Sequence, residues 1–331
     1  MSENPKKFPL LRLPSVAAEH VIMTMKLRDV FILSLTSTKA KALLNCSLPK
    51  KQAHINCSFL GQSSFDIQFF PWATSTSFIR VMRDPGQFQD AGGDNSYKIH
   101  NILCKISFMN EPTEFIADQS LEVVAKAFLT YLVEIFRTQK TSMEFGFRII
   151  PGAALGLLNH AKSLNLPMER ILLETRNTPA EVYREFLNVG PITKGLLIAS
   201  EATRGFQYSP LESFKLDRFL VSDGHWVHLQ DFMECRSLVV NNTLAKPMYS
   251  VNTQRLNEFF KAWQRSSCRL NYLQVSVSHS QRLSFAEVTM GLNGTNYVRT
   301  GFFQSLDIER MDGRKARIQL NQMDLTLEKR N

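Results

Sequence analysis

The sequence predicts a mixed α/β protein (α+β when its parts are taken together): three short N-terminal helices, an antiparallel β segment, and a repeat-like strand and helix stack ending in a hairpin. Three patterns predict this. Apolar residues recur at helical spacing over 8–44, the period becomes two over 54–108, and short apolar strands alternate with amphipathic helices thereafter. The expected divisions are 1–48, 49–118 and 119–331.

Ser15 is the expected cap of a helix running to Met25, with Val16, Val21, Ile22 and Met25 facing one way. Asp29 is expected to cap Val30 to Leu35, and Ser37 a third helix ending at Leu44. So short a unit cannot bury its apolar surface by itself. Ile55/Cys57/Phe59, Phe65/Ile67/Phe69 and Ile102/Cys104/Ile106/Phe108 then alternate with polar residues, as half-buried antiparallel strands do. Asp84–Ser96 reads as a loop from its Pro, Gly, Asn and Asp content.

Leu121 to Arg137 carries the clearest helical pattern. Glu122, Lys126, Thr130 and Glu134 form one narrow polar stripe on an otherwise apolar rod. Strands are expected at Ile171–Leu173, Leu196–Ile198, Phe214–Leu216, Leu238–Val240 and Tyr272–Val275, with helices near 152–164, 179–188, 227–234 and 253–265. The irregular spacing resembles a degenerate leucine-rich-repeat stack, in which each unit needs its neighbours to cover its apolar face. Asp312-Gly313, between Ser305–Arg310 and Arg314–Leu320, signals a tight hairpin turn.

Composition narrows the function. The 331 residues are 44% apolar and 21% charged, with a net charge of +9. Residues 1–50 hold eight Lys/Arg and three Asp/Glu, so much of the excess sits among the apolar N-terminal helices. That distribution suits a basic rim around a protein interface better than a phosphate-tracking groove, and no nucleic-acid role is expected. Cys46, Cys57, Cys104, Cys235 and Cys268 are odd in number and lack any CxxC spacing, as reduced, mostly buried thiols would be. Charges interrupt every apolar run at the N-terminus, and Glu122, Lys126 and Glu134 interrupt the most apolar helix. No signal peptide and no membrane span are expected, and the location is expected to be cytoplasmic, nuclear or both. The Asn-x-Ser/Thr matches at Asn45, Asn56, Asn241 and Asn293 are then chance.

Signals for chemistry are poor. His225, His228, Asp231 and Cys235 have helical spacing, but one helix seldom supplies a whole zinc site. A helix start capped by Asp223, burying Trp226, Leu229, Phe232 and Met233, is the plainer reading. Ser278-His279-Ser280 has no nucleophile-elbow context, Cys57 sits within an alternating strand, and no phosphate-binding glycine motif occurs. Gly152 and Gly156 after Pro151 suggest close helix packing. Trp263 reads as core, whereas Trp226 and Trp72 are candidates for exposure and substrate contact. No catalytic residue, metal or cofactor is expected.

Phe8-Pro9-Leu10-Leu11-Arg12-Leu13-Pro14 resembles the opening of an F-box, followed by Val21-Ile22, Met25, Leu27, Asp29-Val30, Leu33-Ser34-Leu35 and Ser37-Thr38-Lys39. Ala17-Ala18-Glu19-His20 departs from the acidic and leucine-bearing pattern of that family's first helix. Further on, Leu211 to Leu216, Trp226 to Met233, Ser237 to Val240 and Leu256-Asn257-Glu258-Phe259-Phe260-Lys261-Ala262-Trp263-Gln264 to Leu273 are similar to the F-box-associated type 2 domain of nematode proteins. The resemblance implies an F-box at 1–48 and the associated domain at 119–331.

It further implies a substrate-recognition subunit of a Skp-cullin-F-box ubiquitin ligase. Leu13, Pro14, Val21, Ile22, Leu27, Val30 and Leu33 would bind a Skp-type adaptor, and through it a cullin. The C-terminal part would capture an unknown protein substrate, with ubiquitin chemistry left to other subunits. The alternative is a non-catalytic interaction module whose F-box has decayed.

Overall fold

A computed structural model describes residues 10–47, 52–70, 77–84, 86, 96–107, 112–189, 193–210, 214–241, 252–277, 283–321 and 323–330. Phe8, Pro9, Trp72, most of the Asp84–Ser96 loop and Ser278–Ser280 lie outside them. The chain is mixed α/β, with N-terminal helices followed by β-sheet and further helices. It divides into two compact units, Met1–Ile149 with Gly156–Pro167, and Ile150–Leu155 with Met168–Asn331.

The first unit opens with a 3-10 turn, Leu10–Arg12, then α1 (Ser15–Thr24), α2 (Leu27–Thr36) and α3 (Thr38–Ser47). Ser15 does not cap α1. Pro14 holds the cap position in extended geometry and its carbonyl accepts from the Ala18 amide at 3.0 Å. Asp29 lies inside the first turn of α2, where its charge suits the helix dipole but caps nothing. Ser37 does cap α3: its Oγ accepts from the Ala40 amide at 3.1 Å.

Strands β1 (Gln52–Phe59), β2 (Ser64–Phe70), β3 (Ser77–Arg83), β4 (Ser96–Ile99), β5 (Ile102–Ser107), β6 (Thr113–Ala117) and β7 (Arg137–Phe145) lie in the order β7-β1-β2-β3-β6-β5-β4. Both β1–β2–β3 and β4–β5–β6 are antiparallel, as the alternation predicted. The β3–β6 and β7–β1 pairings are parallel, so the sheet is mixed. Such pairings join strands distant in sequence, which local alternation cannot reveal. Helix α4 (Leu121–Ile135) falls in this unit and inserts Phe128 against Phe65 and Phe115 of the sheet. Helix α5 (Pro151–Ser163) brings Gly156 onto α4, where a Cβ would meet the Glu122 carboxylate.

In the second unit, β8 (Met168–Leu173), β9 (Thr193–Ile198), β10 (Arg218–Val221), β11 (Ser237–Val240) and β12 (Tyr272–Ser276) are parallel and adjacent in chain order. This is the sequential stack expected of strand–helix repeats. In-register pairing lines up Ile171, Leu196, Phe219, Leu238 and Leu273 as one buried row and Leu173, Ile198, Val221, Val240 and Val275 as another. Helices α6 (Ala180–Leu187) and α7 (Thr253–Arg265) match the expected positions.

Two expectations fail locally. Phe214–Leu216 is not a strand; Phe214 and Leu216 are buried from irregular backbone, and the strand comes next at Arg218–Val221. Burial from a loop mimics strand alternation over three residues. The helix expected near 227–234 is only a 3-10 turn, Leu229–Phe232.

After the short α8 (Phe285–Val288), four antiparallel strands close the unit: β13 (Gly294–Thr300), β14 (Phe303–Glu309), β15 (Lys315–Asn321) and β16 (Asp324–Arg330), with β16 on β12. The predicted turn joins β14 to β15, and Gly313 has φ +81°, a conformation that favours glycine. Buried Arg310 steadies it, donating to the Cys268 carbonyl at 2.7 Å and to both Asp312 carboxylate oxygens.

Candidate docking face on the N-terminal helices

The three helices find part of their cover within their own chain. Phe31 on α2 is fully buried, with ring centroids 5.8 Å from Phe115, 6.0 Å from Phe128, 5.7 Å from Tyr131 and 6.3 Å from Phe69. Edge-to-face geometry at Phe115 and Tyr131 adds to the apolar burial. Around this ring the Tyr131 hydroxyl donates to the Ser34 carbonyl or Oγ, both at 3.1 Å, and Ser34 donates to the Phe31 carbonyl. Burial raises the Tyr131 pKa, keeping that donor protonated. On α3, Lys41 reaches Glu134 at 2.7 Å and lies 4.5 Å above the Tyr131 ring. Partly exposed, that pair contributes less than the aromatic nucleus. Nothing in the residue spacing of α2 distinguishes Phe31 from its apolar neighbours.

This anchorage divides the seven predicted docking residues. Ile22, Leu27 and Val30 lie in the chain's own core. Leu13, Val21 and Leu33 are half-buried, and Pro14 is exposed. The first three are covered by the chain itself, whereas the other four reach solvent.

The apolar surface that does face outward is broader than the sequence suggested. On α1 the buried stripe is Ala18 and Ile22, one turn apart. Val16, predicted to share the side of Ile22, is 78% exposed, and Met23 is 37% exposed. These two stand seven residues apart and share a helical face with exposed His20. Leu11, in the preceding turn, is 52% exposed. The packed stripe of α1 takes only Ala18 and Ile22, which leaves Val16 and Met23 outside among Glu19, His20 and Thr24. Arg12 in that turn, Lys26 just before α2 and Lys39 on α3 are also exposed.

The sequence's other candidates are separated. Trp226 and Trp263 are both buried. Trp226 sits edge-on among Tyr183, Phe206 and Tyr208, which removes it as an exposed substrate contact. Asp223 is no helix cap; its buried carboxylate accepts from the Ala202 amide at 3.1 Å and lies 2.9 Å from His225 Nδ1. His228 is exposed while Cys235 is buried, its thiol pushed up to about 12 mainly by burial. Burial likewise pushes Cys57 and Cys104 up to about 12, so these thiols are not poised as nucleophiles. Among the described residues, no three His, Cys, Asp or Glu side chains are placed to hold a metal ion. No described helix is long and apolar enough to cross a membrane.

The chain is similar to the Skn-1 dependent zygotic transcript 15 protein of Caenorhabditis elegans, being 24% identical to it over an alignment covering 94% of this chain and 93% of that one. No protein-family profile matches the chain. No solved structure matches it.

Proposed function

We propose that the chain is the substrate-recognition subunit of a Skp-cullin-F-box ubiquitin ligase. Its N-terminal helices would dock a Skp-type adaptor and, through it, a cullin, while the rest of the chain recruits a target protein. The observation that supports this reading is the exposure of apolar Leu11 and Val16 at the start of the helical unit. Val16 is 78% exposed on a helix whose opposite stripe is already packed, and Leu11 in the preceding turn is 52% exposed. Exposed apolar side chains on an anchored helix suit a partner that covers them. Each such side chain, once fully buried, would contribute roughly 1.5–3 kcal/mol to docking. The mechanism is positional: the receptor raises the concentration of its target beside the ubiquitin carrier. The full-length similarity to a nematode protein is in keeping with the nematode family named above.

The test is co-purification with a Skp-type adaptor. Leu27 is unsuitable for substitution because a charge there would enter the core. The informative variant is Leu13→Asp with Val16→Asp and Met23→Asp, all at least partly solvent-accessible. It is expected to keep its melting temperature within a few degrees and to lose the adaptor. A folded variant that still binds adaptor overturns the proposal.

One observation favours a second reading, a non-catalytic interaction module with no ligase role. Ile22, Leu27 and Val30 serve the chain's own core. Native complexes containing a partner but no cullin would select that reading.

A further inference from the structure

We propose that the second unit binds an acidic peptide segment in a cationic groove between the end of α7 and the closing strands. This deepens the receptor reading by naming the chemistry of the captured segment, but the binding itself requires no adaptor.

Two clefts of about 610 Å³ and about 540 Å³ adjoin at Asn293 and Glu309 along one grooved surface. Lys261 and Arg265 project into one half from the last turns of α7, and Lys315 and Arg330 line the other from β15 and β16. None of these four cations has an acidic partner among the described residues, whereas neighbouring Arg310 and Arg317 are held by Asp312 and Asp307. Two carboxylates share this lining: Asp307, already paired with Arg317, and exposed Glu309, which stands across from Lys315. The surplus is therefore positive and unspent.

The floor is held in place. Buried Gln264 donates to the Asn293 carbonyl at 2.8 Å and the Glu309 carbonyl at 3.2 Å, and its own backbone carbonyl accepts from the Met311 amide at 2.9 Å. One residue thus ties α7, the 290–293 loop and β14 together. Asn257 reinforces this by donating to the Val288 and Met290 carbonyls at 2.9 and 2.8 Å. Cations around a fixed floor need not be reorganised before they meet an anion.

A protein segment fits better than a nucleic acid. Met311 is 82% exposed in the groove wall, and Met290, beside Gly291 of the same wall, is 65% exposed. These flexible thioethers offer an apolar contact between charged positions. Among the described residues no aromatic ring lines the groove for base stacking, and Glu309 would repel a continuous phosphate backbone.

The experiment measures fluorescence anisotropy of a short labelled peptide of Glu and Asp with one central Leu against the full chain. A peptide with Lys in place of the acids is the charge control. Binding of the acidic peptide alone, weakening steeply with added salt, is expected. Lys261→Glu with Arg265→Glu, and separately Lys315→Glu with Arg330→Glu, should each weaken it about tenfold, while Arg204→Glu outside the groove should not. All these side chains reach solvent, and equal melting temperatures would verify folding. Equal binding of both peptides, or undiminished binding by both folded groove variants, overturns the proposal. So does a duplex oligonucleotide that binds more tightly than the peptide and is lost in the same variants. Because no adaptor is present, failure here leaves the docking of α1 untouched.

Discussion

The two units hold together in different ways. In the first, α2, α4 and the sheet converge on one aromatic nucleus around Phe31. In the second, stability is spread along two apolar rows that run through five parallel strands in register. A nucleus concentrates the consequences of one substitution, whereas a stack distributes them among neighbours. This contrast explains how the N-terminal helical unit can leave Val16 and Leu11 exposed without collapsing: its inner face has a single strong anchor.

The largest expected effect follows from that contrast. Phe31→Ala removes a ring touching four others and should cost about 3–5 kcal/mol, since the surrounding rings cannot all close the cavity. Ile198→Val, one methylene from a row in the second unit, should cost only about 0.5–1.5 kcal/mol. Chemical denaturation of both variants measures the difference. Comparable losses would break the contrast between nucleus and stack.

Much of this architecture was legible because it is local. The helices at 121–137 and 253–265 carried strong periodicity, and four of the five strands predicted between 171 and 275 overlap observed ones. Asp312-Gly313 specified its turn through the positive φ that only certain residues accept readily. What stayed hidden was non-local. Val16 and Ile22 look alike in a sequence, and only the packing of α1 on α3 decides which faces water. The docking set divided for the same reason: Ile22, Leu27 and Val30 went inward, Leu13, Pro14, Val21 and Leu33 did not. The cationic groove draws on α7, β15 and β16, so no contiguous motif announced it.

A smaller effect separates the hairpin from the rest of the second unit. Hydrogen bonding to Arg310 holds the Asp312 carboxyl at about 2, below its ordinary 3.8. A carboxylate depressed in the folded state stabilises it above the unfolded value, and that contribution disappears as pH falls from about 4 through about 2. Wild-type protein should therefore lose melting temperature more steeply than Asp312→Asn across this window. Parallel pH profiles would show that the Arg310 clasp does not hold the turn.

The smallest effect tests the contact between α4 and α5 in the first unit. Pro151, Gly152 and Gly156 suggested close packing, and Gly156 does face a near neighbour, the carboxylate of Glu122. That neighbour is the flexible end of a side chain, paired with Lys126 at 2.6 Å on a partly exposed surface. Gly156→Ala would displace the pair, forfeiting about 0.2–0.5 kcal/mol, while alanine in a helix interior gains up to about 1 kcal/mol over glycine. The balance favours alanine by about 0.5 kcal/mol, because the backbone gain outweighs the loss of an exposed ion pair. Thermal unfolding should show a slight rise in melting temperature. A fall would mean that the Glu122–Lys126 pair is held more rigidly than its exposure implies, and that anchorage in this unit extends beyond the Phe31 nucleus.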